Sequence, residues 1–300
     1  MQSQNYDKTK DGVRVRSAPS PTGYLHIGGA RTAIYNWLFA KKHKGVFILR
    51  IEDTDVERST TDSIQGIIDG LNWLGIHWDE SPVRQAYRLP AYRAALQALW
   101  DRGLLYPCHC SRRDIAAAAS APQEGAEPAY GPDGLIYPGT CRGTSTRSGP
   151  LPEDTALRLD MHEALQRLRD NAPFCFGETG PILTDTPTRI RFTAQSMIET
   201  VGDIVLSRKD FLGSYHLSVV LDDAAQGISH VIRGKDLFEA TKIHVVLQQL
   251  LSLKTPVYTH HKLIRDETGK RLAKRDDARA IAKYRAEGVT PHDIRAMVGL

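Results

Sequence analysis

The 300-residue sequence has no long apolar run. Nothing in it approaches the roughly 20 apolar residues that a membrane-crossing helix needs, which excludes a helical membrane protein. The opening MQSQNYDKTKDG is polar and lacks the apolar stretch of a secretory leader, so a frayed tail and no export are expected. Cysteine is scarce. Four of them (Cys108, Cys110, Cys141, Cys175) are too few for a disulfide framework in a chain this long, and a reducing compartment, the cytoplasm, is expected. There is no GxGxxG and no Walker lysine, so the ordinary dinucleotide and P-loop readings fail. No internal repeat is present, which excludes a solenoid. Apolar residues make up 41% and charged residues 25%, so disorder is not the default and one or two domains can bury a core.

The net charge of +4 is mild, but its placement is informative. Between His261 and Arg295 stand ten Lys/Arg against six Asp/Glu, a surplus equal to that of the whole chain. A basic C-terminal surface suits a polyanion such as a nucleotide or RNA; a solvated helical face has the same composition. At the other end, Val13–Pro19 alternates and stops at two prolines, as a short strand does. From Gly28 the apolar residues Ala30, Ile34, Trp37 and Leu38 recur at helical steps, and Lys41–Gly45 ends that helix. Val46–Ile51 (VFILRI) reads as a strand buried on both faces, as in a parallel sheet. Residues 13–52 thus form a strand–helix–strand unit. Ser59 or Thr60 can cap a helix running to about Leu74, and another spans about Leu89–Arg102. Tyr215–Leu221 and His230–Arg233 read as strands, and Leu237–Leu251 as a helix.

Three segments carry chemistry. Pro19–Gly29 (PSPTGYLHIGG) lies where a strand gives way to a helix, the place where open α/β sheets bind ligands. Gly28 and Gly29 allow close approach of a phosphate, the helix N-terminus favours anions, and His26 can donate to a phosphate oxygen. Lys270–Asp276 (KRLAKRD) follows a turn and is strongly basic. Cys108–Pro152 is rich in alanine, glycine and proline and has little periodicity, which in a compact domain suggests a stapled segment. Cys108-x-Cys110 and Cys141 within it suit a structural zinc site, which is normally four-coordinate. Three thiolates leave one position open; His109, Tyr130, Tyr137 and Cys175 are the candidates.

The string RSAPSPTGYLHIGGARTAIYNWLFA resembles the HIGH region of class I aminoacyl-tRNA synthetases, and in particular their glutamyl and glutaminyl branch. Glu52-Asp53-Thr54-Asp55 at the next strand end strengthens the likeness. Gly29 stands where the second histidine of the signature would be. KRLAKRD is similar to the KMSKS loop, with Ala273 in place of its serine, a position that cannot offer a hydroxyl to a ligand. The resemblance implies an α/β fold with a Rossmann-type parallel sheet, interrupted by a zinc-stapled insertion and followed by a short helical C-terminal region. The expected divisions are 1–107 and 190–251 for the two halves of the sheet domain, 108–189 for the insertion and 252–300 for the C-terminal region.

The same resemblance implies residue roles. His26 and Lys274 would act on the phosphates of ATP, with Gly28 and Gly29 at the nucleotide and Mg²⁺ bound to it. Arg16, Ser17, Ala18, Pro19 and Ser20 would line a glutamate pocket, Glu52 would receive the α-amino group, and Tyr215 and Arg233 would complete it. Arg is the side chain suited to bidentate carboxylate recognition. Tyr137 would be the fourth zinc ligand. Only residues 277–300 follow the KRLAKRD loop, so no anticodon-binding domain is expected. This short form is similar to the glutamyl-queuosine branch, which activates glutamate without tRNA and attaches it to queuosine in the anticodon of tRNA(Asp). The implied partners are ATP, L-glutamate and the queuosine-bearing anticodon arm, and the implied state is a monomer. A piece of a glutamyl-tRNA synthetase charging tRNA(Glu), a nucleotidyltransferase with a related signature and an inactive RNA-binding paralogue are the other readings.

Overall fold

A computed structural model describes residues 12–119, 129–144, 146–171, 173–180, 186–264 and 280–300. The Lys270–Asp276 segment, with Lys274 and Ala273, and the N-terminal tail lie outside the described residues. The first unit follows its apolar pattern: strand β1 (Arg14–Ser17), helix α1 (Ile27–Lys42) and strand β2 (Val46–Ile51). β2 runs parallel to β1 with Arg16 opposite Ile48. Helix α2 (Thr61–Trp73) is capped by Thr60, whose hydroxyl accepts from the Ser63 N–H. Strand β3 (Val83–Arg84) extends the sheet beyond β2, and helix α3 (Leu89–Asp101) carries a proline in its first turn.

The segment of low periodicity is not structureless. Strand β4 (Leu105–Cys108) leads into it, it holds helix α4 (Arg112–Ala119) and a hairpin of β5 (Tyr130–Gly131) and β6 (Gly134–Leu135), and strand β7 (Ala156–Leu159) and helix α5 (Met161–Arg167) follow it. Strands β8 (Phe174–Glu178) and β9 (Thr188–Phe192) then pair antiparallel. Helix α6 (Ala194–Thr200) has a capping box from Thr193 and Ser196. Strand β10 (Val205–Ser207) returns to β7, giving a small antiparallel sheet β10-β7-β4.

Tyr215–Leu221 is helical, not a strand: helix α7 spans Tyr215–Ala225. Its β-branched residues sit beside His216, Ser218, Asp222 and Asp223, all buried, so the helix shows no polar stripe to betray its period. Ser214 caps it by accepting from the Leu217 N–H. Strand β11 (His230–Gly234), helix α8 (Ala240–Leu250) and strand β12 (Val257–His261) complete the main sheet. β11 pairs parallel with β12, and β12 with β8 at Tyr258–Glu178. β8, inside the stretch expected to belong to the insertion, is thus a strand of this sheet. β1 lies beside β11, where the Ser229 N–H donates to the Arg14 carbonyl at 3.0 Å. The resulting order, β3-β2-β1-β11-β12-β8 with β9 antiparallel at the edge, is that of a doubly wound sheet, with its crevice between β1 and β11. Helices α9 (Ile281–Ala286) and α10 (Pro291–Met297) form the C-terminal region. Among the described residues no helix is long and apolar enough to cross a membrane.

Candidate active site

At that crevice the sheet opens a cavity of about 510 Å³. Arg16, Ser17, Ala18, Pro19, Ser20, His26, Gly28, Gly29, Glu52, Tyr215 and Arg233 all line it. They come from the C-terminal ends of β1, β2 and β11 and the first turns of α1 and α7, so one strand-end constellation gathers segments some 200 residues apart.

His26 is the N-cap of α1. Its Nδ1 accepts from the Gly28 and Gly29 N–H groups at 3.1 and 3.3 Å. A neutral ring with Nδ1 as acceptor carries its proton on Nε2, the other edge of the imidazole. The glycines serve the histidine first: a Cβ on Gly28 would lie 3.1 Å from the ring. The two amides expected to face a phosphate are therefore taken by His26. Sequence patterns do not single out Arg31 and His261, which also line the cavity. Among the described residues the buried Arg31 Nε meets no hydrogen-bond partner, and His261 Nε2 lies 3.0 Å from the Thr32 hydroxyl. Arg31 lies one residue past the Ala30 that marks α1's apolar face, where a basic residue reads as surface. Both ends of the stretch that contains Lys274 reach this cavity: Ile264 lines it, and Ala280 forms an isolated antiparallel bridge with His26.

The other side of the cavity is charged. Arg16 grips Asp223 with Nε and Nη2 at 3.0 and 3.1 Å. Arg50, fully buried, donates to the same Asp223 at 2.7 Å and to Glu52 at 3.2 Å. Asp223, although burial raises it, is held below the usual carboxylate range by Arg16 and Arg50. Burial pushes Glu52 up despite Arg50 and Arg16. An approaching ammonium would draw it back down. Arg233 differs from Arg16 in having no carboxylate against it among the described residues. Its donors meet His260, His244, the Tyr215 hydroxyl, Thr241 and the Leu237 carbonyl. On this side the cavity thus offers the guanidinium groups of Arg16 and Arg233 and the carboxylate of Glu52, a set complementary to an amino acid bearing a second carboxylate.

A second cluster lies in the insertion. The Cys108, Cys110 and Cys141 sulfurs lie within 4.8 Å of one another. The Tyr137 hydroxyl lies 3.5 Å from Cys108 Sγ and 3.4 Å from Cys110 Sγ, and Cys110 and Cys141 are 3.5 Å apart. Ideal tetrahedral zinc bonds, about 2.3 Å to sulfur and about 2.0 Å to oxygen, separate two sulfurs by about 3.8 Å and a sulfur from an oxygen by about 3.5 Å. Three thiols and the phenol fit that shell. The alternatives do not gather there: His109 Nδ1 is 3.2 Å from the Thr155 hydroxyl, Tyr130 is exposed, and Cys175 sits in β8. Burial raises Cys141, but hydrogen bonds from Tyr137 and the His109 backbone lead the groups that bring it down to about 7. Arg158 of β7 donates from Nε to Cys108 Sγ at 3.2 Å and lies 3.8 Å from the Tyr137 ring centre.

A family model described as tRNA synthetases class I (E and Q), catalytic domain, matches residues 12–130 and 179–300. A glutamyl-Q tRNA(Asp) synthetase from Rhodobacter capsulatus is 55% identical over 95% of this chain and 99% of its own length. A glutamate–tRNA ligase from Koribacter versatilis is 37% identical over 96% of the chain and 56% of its own length. The crystal structure of a glutamate tRNA ligase from Elizabethkingia meningosepticum, in complex with its amino acid, superposes with a TM-score of 0.65 at 30% identity, covering 89% of this chain and 53% of that one. The chain spans about half the length of these two ligases and nearly all of the Rhodobacter protein. It belongs to the class I tRNA synthetases of the glutamate and glutamine branch, a family of ligases, and within that branch to the family of the glutamyl-Q tRNA(Asp) synthetase.

Proposed function

We propose that the protein activates L-glutamate with ATP in the absence of tRNA and transfers the glutamyl group to queuosine in the anticodon of tRNA(Asp). The near end-to-end likeness to the Rhodobacter protein carries this reading, and the charges of the cavity agree with the substrate. In the first step a glutamate α-carboxylate oxygen attacks the α-phosphorus of ATP. The carboxyl–phosphorus bond forms, the bond to the β-phosphate oxygen breaks and pyrophosphate leaves. The carboxylate is already ionised at neutral pH, so no general base is required. Position and charge do the work. Arg16 and Arg233 face the carboxylates, Glu52 the ammonium, and the Nε2 side of His26 and Arg31 the phosphates, whose negative charge Mg²⁺ shares when bound; Lys274, outside the described residues, is assigned to the phosphates only by its place in the KMSKS-like motif. In the second step a queuosine hydroxyl takes the glutamyl group and AMP leaves.

The test is pyrophosphate exchange. Wild-type protein with ATP, Mg²⁺ and glutamate, but no RNA, is expected to exchange label into ATP; no glutamate-dependent exchange refutes the reading. The piece-of-a-ligase alternative is favoured instead if tRNA(Glu) is charged.

Cys108, Cys110, Tyr137 and Cys141 are the residues to hold zinc, and the ion would act as a staple, since all four positions are filled by protein. Removing it with a chelator, or replacing Cys110 by Ser, is expected to lower the melting temperature by roughly 5 °C or more. Metal analysis showing no zinc, with melting indifferent to chelator, would overturn the assignment.

A further inference from the structure

The buried histidines behind Arg233 are not used by the chemistry above, yet they form a continuous chain. Arg233 Nη1 lies 3.2 Å from His244 Nδ1. His244 Nε2 lies 3.0 Å from His216 Nδ1. His216 Nε2 lies 2.7 Å from Asp133 Oδ1. Arg233 is on β11, His244 on α8, His216 on α7 and Asp133 in the turn of the β5–β6 hairpin. His244 and His216 are almost completely buried.

Chemistry fixes the direction of this chain. A guanidinium has only donors, so His244 must accept at Nδ1 and, when neutral, donate from Nε2. His216 then accepts at Nδ1 and donates from Nε2 to the carboxylate. Each ring is left with one tautomer, and the carboxylate at the end sets the sense of every link. Burial first, and then the positive Arg233, hold His244 well below the ordinary imidazole range, so it stays the neutral acceptor that the chain needs. A second path leaves Arg233 from Nε, through His260 Nε2, and ends where His260 Nδ1 meets Glu178 at 2.7 Å. Two neutral imidazoles therefore flank a guanidinium, and a carboxylate stands behind each of them. Among the described residues, the charge of Arg233 is oriented by acceptors with no carboxylate at hydrogen-bond distance.

We propose that Asp133, His216 and His244 are positioning residues that aim Arg233 into the amino-acid cavity, so that the insertion hairpin takes part in setting glutamate affinity. The proposal rests on the reading of the cavity as a glutamate pocket. The relay acts on bound glutamate through Arg233 and does not touch the nucleotide. Its loss therefore raises KM for glutamate and leaves kcat and KM for ATP in place.

Three variants test it in the tRNA-free exchange assay. His244→Leu keeps the volume and removes the acceptor; KM for glutamate is expected to rise about tenfold. His244→Asn returns an amide oxygen near the place of Nδ1 and is expected to bring KM back to within about threefold of wild type. Asp133→Ala, at a half-exposed carboxylate where folding is not at stake, is expected to raise it severalfold. Equal KM values for the Leu and Asn variants, or parallel changes in kcat and KM for ATP, would mean that these residues only support the fold and would overturn the proposal. Nitrogen shifts of 15N-histidine protein give a readout free of activity. Protonated Nε2 with bare Nδ1 on both His244 and His216 is expected, and a proton on His244 Nδ1 overturns the relay on its own. Wild-type protein without glutamate-dependent exchange, but with these tautomers, would overturn the glutamate reading and leave the relay's geometry standing.

Discussion

Arg16→Ala is expected to abolish glutamate-dependent exchange, with kcat/KM for glutamate falling on the order of a thousandfold, while ATP binding persists. Two effects combine. The substrate carboxylate is deprived of a charge-assisted hydrogen bond worth about 1.5–3 kcal/mol. Asp223, buried beside it, is deprived of its two-point grip. Breaking a buried pair by removing one partner costs about 3–5 kcal/mol, but Arg50 still faces Asp223 at 2.7 Å, so the protein is expected to fold with reduced stability. Arg16→Lys keeps the charge without the fork and is expected to be intermediate. Equilibrium binding of ATP, thermal melting and exchange kinetics on the three proteins separate the effects. Unchanged exchange kinetics in Arg16→Ala would remove Arg16 from the substrate pocket and leave it as a structural ion pair.

The second large effect concerns the acceptor. tRNA(Asp) lacking queuosine is expected to receive no glutamate, with transfer reduced to background, while adenylate formation is expected to be unaffected, since under the proposed function it requires no RNA. The proposed half-reactions use different ligands, so the two readouts separate. Labelled glutamate transferred to modified and unmodified tRNA(Asp), measured side by side with pyrophosphate exchange, is the comparison. Stable glutamylation of the unmodified tRNA would sink the assignment to queuosine; charging of tRNA(Glu) would point to the ligase reading.

The first βαβ unit is legible in the sequence because strand, turn, cap and helix signals agree there: two prolines end β1, His26 and glycine open α1, and Lys41 and Lys42 close it. Of the residues lining the cavity, Arg16 to Ser20, His26, Gly28, Gly29, Glu52, Tyr215 and Arg233 are legible through family likeness, not through periodicity. Helix α7 reads as a strand because its polar residues His216, Ser218, Asp222 and Asp223 are buried along with its apolar ones, so tertiary packing, not amphipathicity, decides its form. The same burial hides the relay: as a strand, Tyr215–Leu221 gives His216 no reason to meet His244. The hydrogen bonds linking Asp133, His216 and His244 span up to 83 residues, and no local pattern encodes them. Arg31 escapes notice because one arginine on a helix looks like solvated surface until its neighbours are placed.

Arg158 has a consequence for the thiol–phenol cluster. Three thiolates and a phenolate around a divalent ion carry a formal charge of −2, an excess that a half-buried loop disperses poorly. The guanidinium stacked on Tyr137 and bonded to Cys108 reduces that excess to −1, while its Nη1 holds the Asp203 carbonyl at 2.8 Å. A phenol is a reluctant anion, and a cation against its ring face makes the ionised form less costly. With zinc bound as proposed, the middle strand of the small sheet would act as counterion for the cluster, and the use of tyrosine as a ligand would depend on an arginine that touches no metal.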